Sequence, residues 1–226
     1  MDTWLLLQSP AAAAADNMAV DDALLRTAAA RGRALLRLYS WTRPAVSIGY
    51  FQQYPAELAD RYEIVRRPTG GGIVYHDADT TYTVVVPPAH GLHQLSTNDA
   101  YCAIHRAVAR ALNTAALVAG VDSAPAPRGT YACFQNPVAG DVVTGSRKLA
   151  GGAQRRSRTG VLHQGSIAGR VAEARLVAGF QQEFSIEFIP YQLTVSEQEL
   201  AAQLAREKYS RADWNEHSAR KLTHVH

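Results

Sequence analysis

Two periods of apolar and polar positions run through this chain. Short runs rich in β-branched and aromatic residues, spaced by two, predict strands at residues 4–7, 37–41, 46–50, 63–65, 81–86 and 161–167. A period near 3.6 predicts a helix from Met18 to about Ala30, with Met18, Leu24, Leu25 and Ala28 on one face and Asp16-Asn17 as its cap. A second helix is predicted from about Ala100 to Ala119. Ser96-Thr97-Asn98-Asp99 caps it, Ile104, Val108 and Leu112 share a face, and Gly120 ends it. Residues 55–60 suit a short helix, and 171–179 and 196–208 longer ones, the last with Ser196 and Glu199 as a capping box. Residues 141–155 read as a hairpin turning at Gly145-Ser146. Strands and helices mix without strict βαβ alternation. The expected fold class is therefore α+β, a mixed β-sheet flanked by helices. Nothing resembles an interdomain linker, so residues 1–210 are expected to form one domain and 211–226 a polar, disordered tail.

Composition narrows the function classes. At 47% hydrophobic and 19% charged residues, the 226-residue chain can bury a substantial core. A net charge of +3 is too mild to suggest nucleic acid as a partner. No apolar run approaches the roughly 20 residues of a membrane span. Asp2 stands where a signal peptide would be basic, so a cytoplasmic location is expected and no membrane partner. Two cysteines, Cys102 and Cys133, do not make a disulfide framework. No His/Cys/Asp cluster has metal-ligand spacing, and neither GxxxxGK[ST] nor GxGxxG occurs.

Candidate chemistry gathers in three places. Arg66-Arg67-Pro68-Thr69-Gly70-Gly71-Gly72-Ile73-Val74-Tyr75-His76-Asp77 sets a glycine triplet between strands. Glycines there let backbone approach a ligand closely, and a flanking arginine could meet a carbonyl or an anion. In isolation the triplet could equally be a flexible hairpin. Lys148 enters a strand with Gly151 and Gly152, small residues that leave room for a ligand. Simple alternation would put Lys148 and Ala150 on one face, Arg147 and Leu149 on the other. Cys133 sits in a loop ahead of Pro137 and the Lys148 hairpin, where a nearby cation could hold a thiolate. A buried cysteine is more often a small hydrophobe, which is the reading given to Cys102. His76 and His163 end apolar stretches and are candidates for proton handling as well as for structure.

Together these runs resemble the lipoate–protein ligase and octanoyltransferase family, also called the biotin/lipoate A/B protein ligase family. The likeness extends from Asn17-Met18-Ala19-Val20-Asp21-Asp22-Ala23-Leu24-Leu25 through Trp41-Thr42-Arg43-Pro44-Ala45-Val46-Ser47-Ile48-Gly49-Tyr50 and Lys148-Leu149-Ala150-Gly151 to Gly165-Ser166-Ile167. The resemblance implies the catalytic-domain fold of biotin protein ligases and class II aminoacyl-tRNA synthetases. It implies Cys133 and Lys148 as catalytic residues, with Arg66, Gly70, Gly71, Gly72, Val74, Tyr75, His76, Gly151, Gly152, His163 and Gly165 binding substrate. Ala132-Cys133-Phe134 resembles the cysteine-dependent octanoyltransferase branch. That branch takes octanoyl from octanoyl-acyl carrier protein and passes it, without a cofactor, to a lysine of a lipoyl domain. The acceptor would be glycine cleavage H protein or a 2-oxoacid dehydrogenase E2. The alternative within the family is a lipoate ligase using ATP and Mg²⁺. A non-catalytic acyl-binding protein on the same fold is a third class.

Overall fold

The computed structural model describes residues 2–113, 117–118 and 137–216. In chain order the elements are β1 (Asp2–Gln8), α1 (Ala14–Arg31), β2 (Leu35–Tyr39), β3 (Ala45–Ile48), β4 (Glu63–Arg66), β5 (Val74–His76), β6 (Thr80–Val86), α2 (Gly91–Gln94) and α3 (Thr97–Leu112). There follow β7 (Leu117–Val118), β8 (Val142–Thr144), β9 (Arg147–Ser157), β10 (Gly160–Ile167), α4 (Glu173–Phe184), β11 (Ile186–Pro190), α5 (Val195–Leu204) and α6 (Ala212–Glu216). Eight strands form one mixed sheet in the order β11-β1-β2-β6-β10-β9-β8-β7, and β4-β3-β5 form a small second sheet. The expected α+β class is what is seen. Among the described residues, no helix is long and apolar enough to cross a membrane.

Period-two alternation splits the large sheet between two cores. Tyr82, Val84 and Val86 of β6 join Leu36, Leu38 and Val161 under α3 and α4, where Ile104, Val108, Leu176 and Phe180 are buried. On the opposite face Val85, Leu35 and Leu162 meet Leu24, Leu25 and Ala28 of α1. The helix face read from sequence is thus the one that packs.

Several boundaries differ from expectation, each for a local reason. Helix α1 starts at Ala14, before Asp16-Asn17. The Asn17 amide instead donates to the Ala12 and Ser40 carbonyls, tying the helix to the loop after β2. Helix α3 ends at Leu112 because Asn113 takes the left-handed conformation at φ 41°, and Gly120 lies outside the described residues. The capping box of α5 is Thr194 with Glu197, not Ser196 with Glu199. Strand β11 was not expected and pairs in parallel with β1. Residues 212–216, assigned to a disordered tail, form α6. The Arg66 guanidinium donates to the Trp214 and Asn215 carbonyls, and the Trp214 indole N–H donates to the Arg66 carbonyl. Residues 217–226 lie outside the described residues.

On the α1 face, one fully buried carboxylate, Asp21, pins the helix across three strands. It accepts from Arg37 of β2 at 2.7 Å, Thr83 of β6 at 2.8 Å and Gln164 of β10 at 2.7 Å. Removing one member of a buried ion pair leaves the other charge unpaired and costs about 3–5 kcal/mol. Asp21→Ala should lower stability to urea by that amount, and a loss under about 1 kcal/mol would refute the assignment.

Candidate active site

A narrow cleft, with about 450 Å³ of empty space when its open mouth is included, lies between the two sheets. Its floor follows one register row across the large sheet: Tyr39 of β2 opposite Thr81 of β6, Thr81 opposite Ser166 of β10, Ser166 opposite Gly151 of β9. Three strand spacings make that row roughly 14 Å long. Ser47, Val74 and His76 of the small sheet, with Arg67, form the opposing wall.

Lys148 stands at the β9 end of the row. Its register is not the simple one. Val142 pairs with Ala150 but Val143 pairs with Lys148, so β9 carries an extra residue at Leu149. Such a bulge re-aims the side chains around it. Lys148 therefore faces the cleft, while Ala150 joins the core under α3, which corrects the expectation that the two share a face. The lysine folds over Gly151: a Cβ there would sit 2.5 Å from Nζ. A side chain at 151 would push the lysine's end out of this position. Nζ lies 2.7 Å from the Asp141 carboxylate, and both side chains are buried. Asp141 also accepts from the Tyr101 hydroxyl at 2.6 Å and the Val138 N–H at 2.8 Å. Tyr101 in turn accepts from the Gly152 N–H at 2.9 Å. Burial, then Asp141, raises the Tyr101 pKa well above its ordinary value, so the hydroxyl stays a donor. The result is a cation fixed in position and shielded from water, able to donate to a carbonyl oxygen or to favour an anion beside it.

The glycine triplet serves the site through Arg67. That guanidinium donates to the Gly70 carbonyl at 2.6 Å, the Gly72 carbonyl at 2.7 Å and the Ser47 carbonyl at 2.9 Å. Gly71 has φ 86°, and its carbonyl occupies the space a Cβ on Gly49 would need. Thr69, just before the triplet, donates to Gln164 at 2.7 Å, and Gln164 donates to Asp21. The triplet is therefore tied to the central carboxylate through two side chains.

Hydroxyls dot the cleft, but their polar atoms are committed. Ser166 and Thr81 both donate to Asp79, at 2.6 and 3.0 Å. His76 Nδ1 lies 2.8 Å from the same carboxylate, Nε2 lies 2.8 Å from Ser47 Oγ, and the ring stacks on Trp41 at 4.1 Å. Burial alone would raise the Asp79 pKa, but the bonds from His76, Ser166 and Thr81 hold it below its usual value. With these groups paired among themselves, the cleft presents mainly carbon to a guest.

Of the residues expected to bind substrate, Val74, His76, Gly151, Gly152 and Gly165 line the cleft, with Lys148. Gly70 lines a neighbouring groove. Arg66 does not face the cleft: its guanidinium is spent on the carbonyls of Gly49, Tyr50, Gln52, Trp214 and Asn215. Alternation turns successive side chains to opposite sides, and the cleft receives Arg67 instead. Tyr75 points outward against Tyr62. His163 lies on the far face of β10, 3.3 Å from the Tyr82 hydroxyl and 5.3 Å from the His105 ring. Cys133 lies outside the described residues. Ser47, Asp79 and Asp141 were not singled out beforehand, whereas Arg67 was weighed with Arg66 as a cation beside the triplet. The hairpin turn at Gly145-Ser146 was the available signal for Asp141, since it folds that residue back toward the Lys148 strand.

Comparison with known proteins places this architecture. The model for the lipoyl protein ligase A/B catalytic domain matches residues 13–184. The chain belongs to that family. The octanoyltransferase LipM of Kyrpidia tusciae is 34% identical, over 95% of this chain and 99% of its own length. That of Carboxydothermus hydrogenoformans is 29% identical, over 95% and 98%. Among solved structures, a bi-partite lipoate protein ligase studied with its E2 lipoyl domain from Thermoplasma acidophilum superposes with a TM-score of 0.72, at 22% identity, over 95% of this chain and 96% of its own. The ligase-type catalytic fold expected from the motifs is thereby established.

The histidines behind Lys148 make one pH prediction. Burial pushes the His105 pKa down to about 4 from 6.5, with Lys148 adding to the fall and the Gly140 carbonyl and Asp141 opposing it. Burial, then His105, holds His163 well below its ordinary value. Between pH 4 and 6.5 the unfolded chain binds more protons than the folded one, so stability falls as pH falls through that window. Urea denaturation from pH 7 to 4 should show this slope, and His105→Gln should flatten it. A wild-type curve flat over the window would contradict the assignment.

Proposed function

We propose that this chain is an acyltransferase that carries an octanoyl group from acyl carrier protein, through a thioester on Cys133, to a lysine of a lipoyl domain. The observation that carries the reading is the buried Lys148–Asp141 pair at the end of a carbon-lined cleft, in a chain whose relatives are octanoyltransferases. In the first half-reaction the Cys133 thiolate attacks the thioester carbonyl. The C–S bond to the carrier breaks, and the carrier leaves as a thiolate that takes a proton. In the second, the neutral amine of the acceptor lysine attacks octanoyl-Cys133, forming an amide, releasing the thiolate and shedding one proton. Thioester to amide is downhill, so no ATP or metal enters.

Lys148 supplies the fixed positive charge. It donates to the acyl carbonyl oxygen as negative charge develops, and favours the Cys133 thiolate over the thiol. Asp141 and Gly151 hold it there. The tail lies along the Gly151–Ser166–Thr81–Tyr39 row toward Trp41, which is longer than an eight-carbon chain. The fully committed hydroxyls of that row lose nothing when an alkyl chain displaces water. The acceptor is glycine cleavage H protein or an E2 lipoyl domain, in keeping with the lipoyl-domain partner of the T. acidophilum ligase. The ATP-dependent ligase reading is weaker, because the relatives matched over nearly their whole length are named octanoyltransferases.

Wild-type protein incubated with octanoyl-carrier should gain one octanoyl group by intact mass spectrometry. Cys133→Ser and Cys133→Ala should abolish that adduct as a thioester and lower overall transfer by roughly a thousandfold or more. Full activity in the alanine variant would overturn the covalent route.

A further inference from the structure

Beside the cleft, on the other side of the glycine turn, a second groove is lined by Tyr50, Phe51, Pro68, Gly70, Gln154 and Arg155. None of these residues has a part in the chemistry proposed above. Three features of the groove converge. First, among the described residues, β9 has an edge left unpaired beyond β8. Strand β8 covers only residues 147–150, and β9 continues to Ser157. The Gly152 N–H and carbonyl point away from β10, to the Tyr101 hydroxyl. By the period of two, the Gln154 N–H and carbonyl point the same way. Among the described residues nothing pairs with them. A strand edge with unpaired N–H and carbonyl groups is a template for amide groups of a second chain. Second, Arg155 is exposed and makes no hydrogen bond or ion pair among the described residues. Lys208 and Arg26 stand near it: burial lowers the Lys208 pKa, and Arg155 and Arg26 add to that fall against the opposing Asp22. Third, Gly70, on the groove's wall next to the cleft, has open space where a Cβ would be, with no neighbour within 4 Å.

The spacing fits one kind of occupant. Measured from Gly151, where Lys148 Nζ rests, Gln154 is about 10 Å and Arg155 about 13 Å along the strand at ~3.3 Å per residue. A phosphopantetheine arm presents its groups in that order: thioester sulfur, two amides, then a phosphodiester. A lysine side chain has no amide between its amine and its own backbone, and ends in no anion.

We propose that the open edge of β9 and the Phe51–Arg155 groove bind the phosphopantetheine arm of the donor. The arm's amides pair with the Gln154 backbone, its phosphodiester meets Arg155, and its thioester is delivered over Gly70 to Lys148. This rests on the transferase reading, and it assigns the groove to the donor and not to the acceptor. Phe51, 72% exposed in the free protein, packs on the arm's dimethyl carbon.

A graded series of thioesters tests the assignment: octanoyl-N-acetylcysteamine, octanoyl-pantetheine and octanoyl-4′-phosphopantetheine, with an apo lipoyl domain as acceptor and no ATP. In wild type, kcat/KM should rise at each step, the phosphate adding about tenfold as a charge-assisted contact. Arg155→Glu should erase the gain between the last two substrates and leave the gain between the first two. Gln154→Pro, which removes the outward N–H, should diminish the earlier gain instead. The inference falls if wild type gains nothing from the phosphate. It also falls if the gain survives in Arg155→Glu, or if that variant raises only the KM of the lipoyl domain. A wild-type protein that accepts none of the three thioesters, nor octanoyl-carrier, removes the transferase reading itself.

Discussion

A single buried carboxylate holds the two halves of the cleft in register. Asp21 reaches from α1 to Arg37, Thr83 and Gln164, on three neighbouring strands. A carboxylate in an apolar interior is tolerated only when its oxygens are bonded and its charge is paired, and here both conditions are met. The consequence travels outward. Gln164, oriented by Asp21, accepts from Thr69, and Thr69 anchors the start of the glycine turn. Arg67 then gathers the carbonyls of Gly70, Gly72 and Ser47 around one cation. The small sheet is thus set over the large one by polar contacts that leave an apolar channel between them.

The same economy of polar groups shapes the chemistry. The cleft walls spend their hydroxyls on Asp79 and their amide on Asp21, so a hydrocarbon tail displaces no unpaired group. At one end a bulge turns Lys148 into the cleft, and Gly151 gives it space. Asp141 then fixes the ammonium, and Tyr101 fixes Asp141. A charge positioned in advance needs no reorganisation when an oxyanion forms beside it. An ATP-driven ligase and a thioester-driven transferase could both use such a charge. What separates them is the source of the activated acyl group, and hence whether a cysteine takes part.

Much of this was legible in the residues. Strands β1, β2, β6, β8, β9 and β10 of the large sheet, the packing face of α1, the hairpin turn at Gly145 and the cap at Ser96 follow from local periodicity and turn chemistry. The glycine triplet and Lys148 drew notice from sequence, and the structure sets Lys148 on the cleft and the triplet's carbonyls on Arg67. Other features depend on contacts between distant residues and left no local trace. Nothing in Arg66-Arg67 says which arginine faces the ligand, because the answer depends on where α6 docks, about 150 positions later in the chain. The extra residue at Leu149 is a property of strand pairing, so strict alternation misplaced Lys148 relative to Ala150. His163 looked like a site residue by sequence neighbourhood, yet the pleat sends it behind the sheet while Gln164 and Ser166 face the cleft. Residues 212–216 read as loose because their polarity is real, while their order comes from a buried guanidinium far upstream.

The central claim is that the acyl group arrives already activated on a carrier thioester. Its most direct test is a paired transfer assay with an apo lipoyl domain, read as the mass of the acceptor. One reaction holds octanoyl-acyl carrier protein without ATP, the other free octanoate with ATP and Mg²⁺. The account predicts an octanoylated lipoyl domain in the first reaction and an unmodified one in the second. Modification only in the ATP-containing reaction would contradict it.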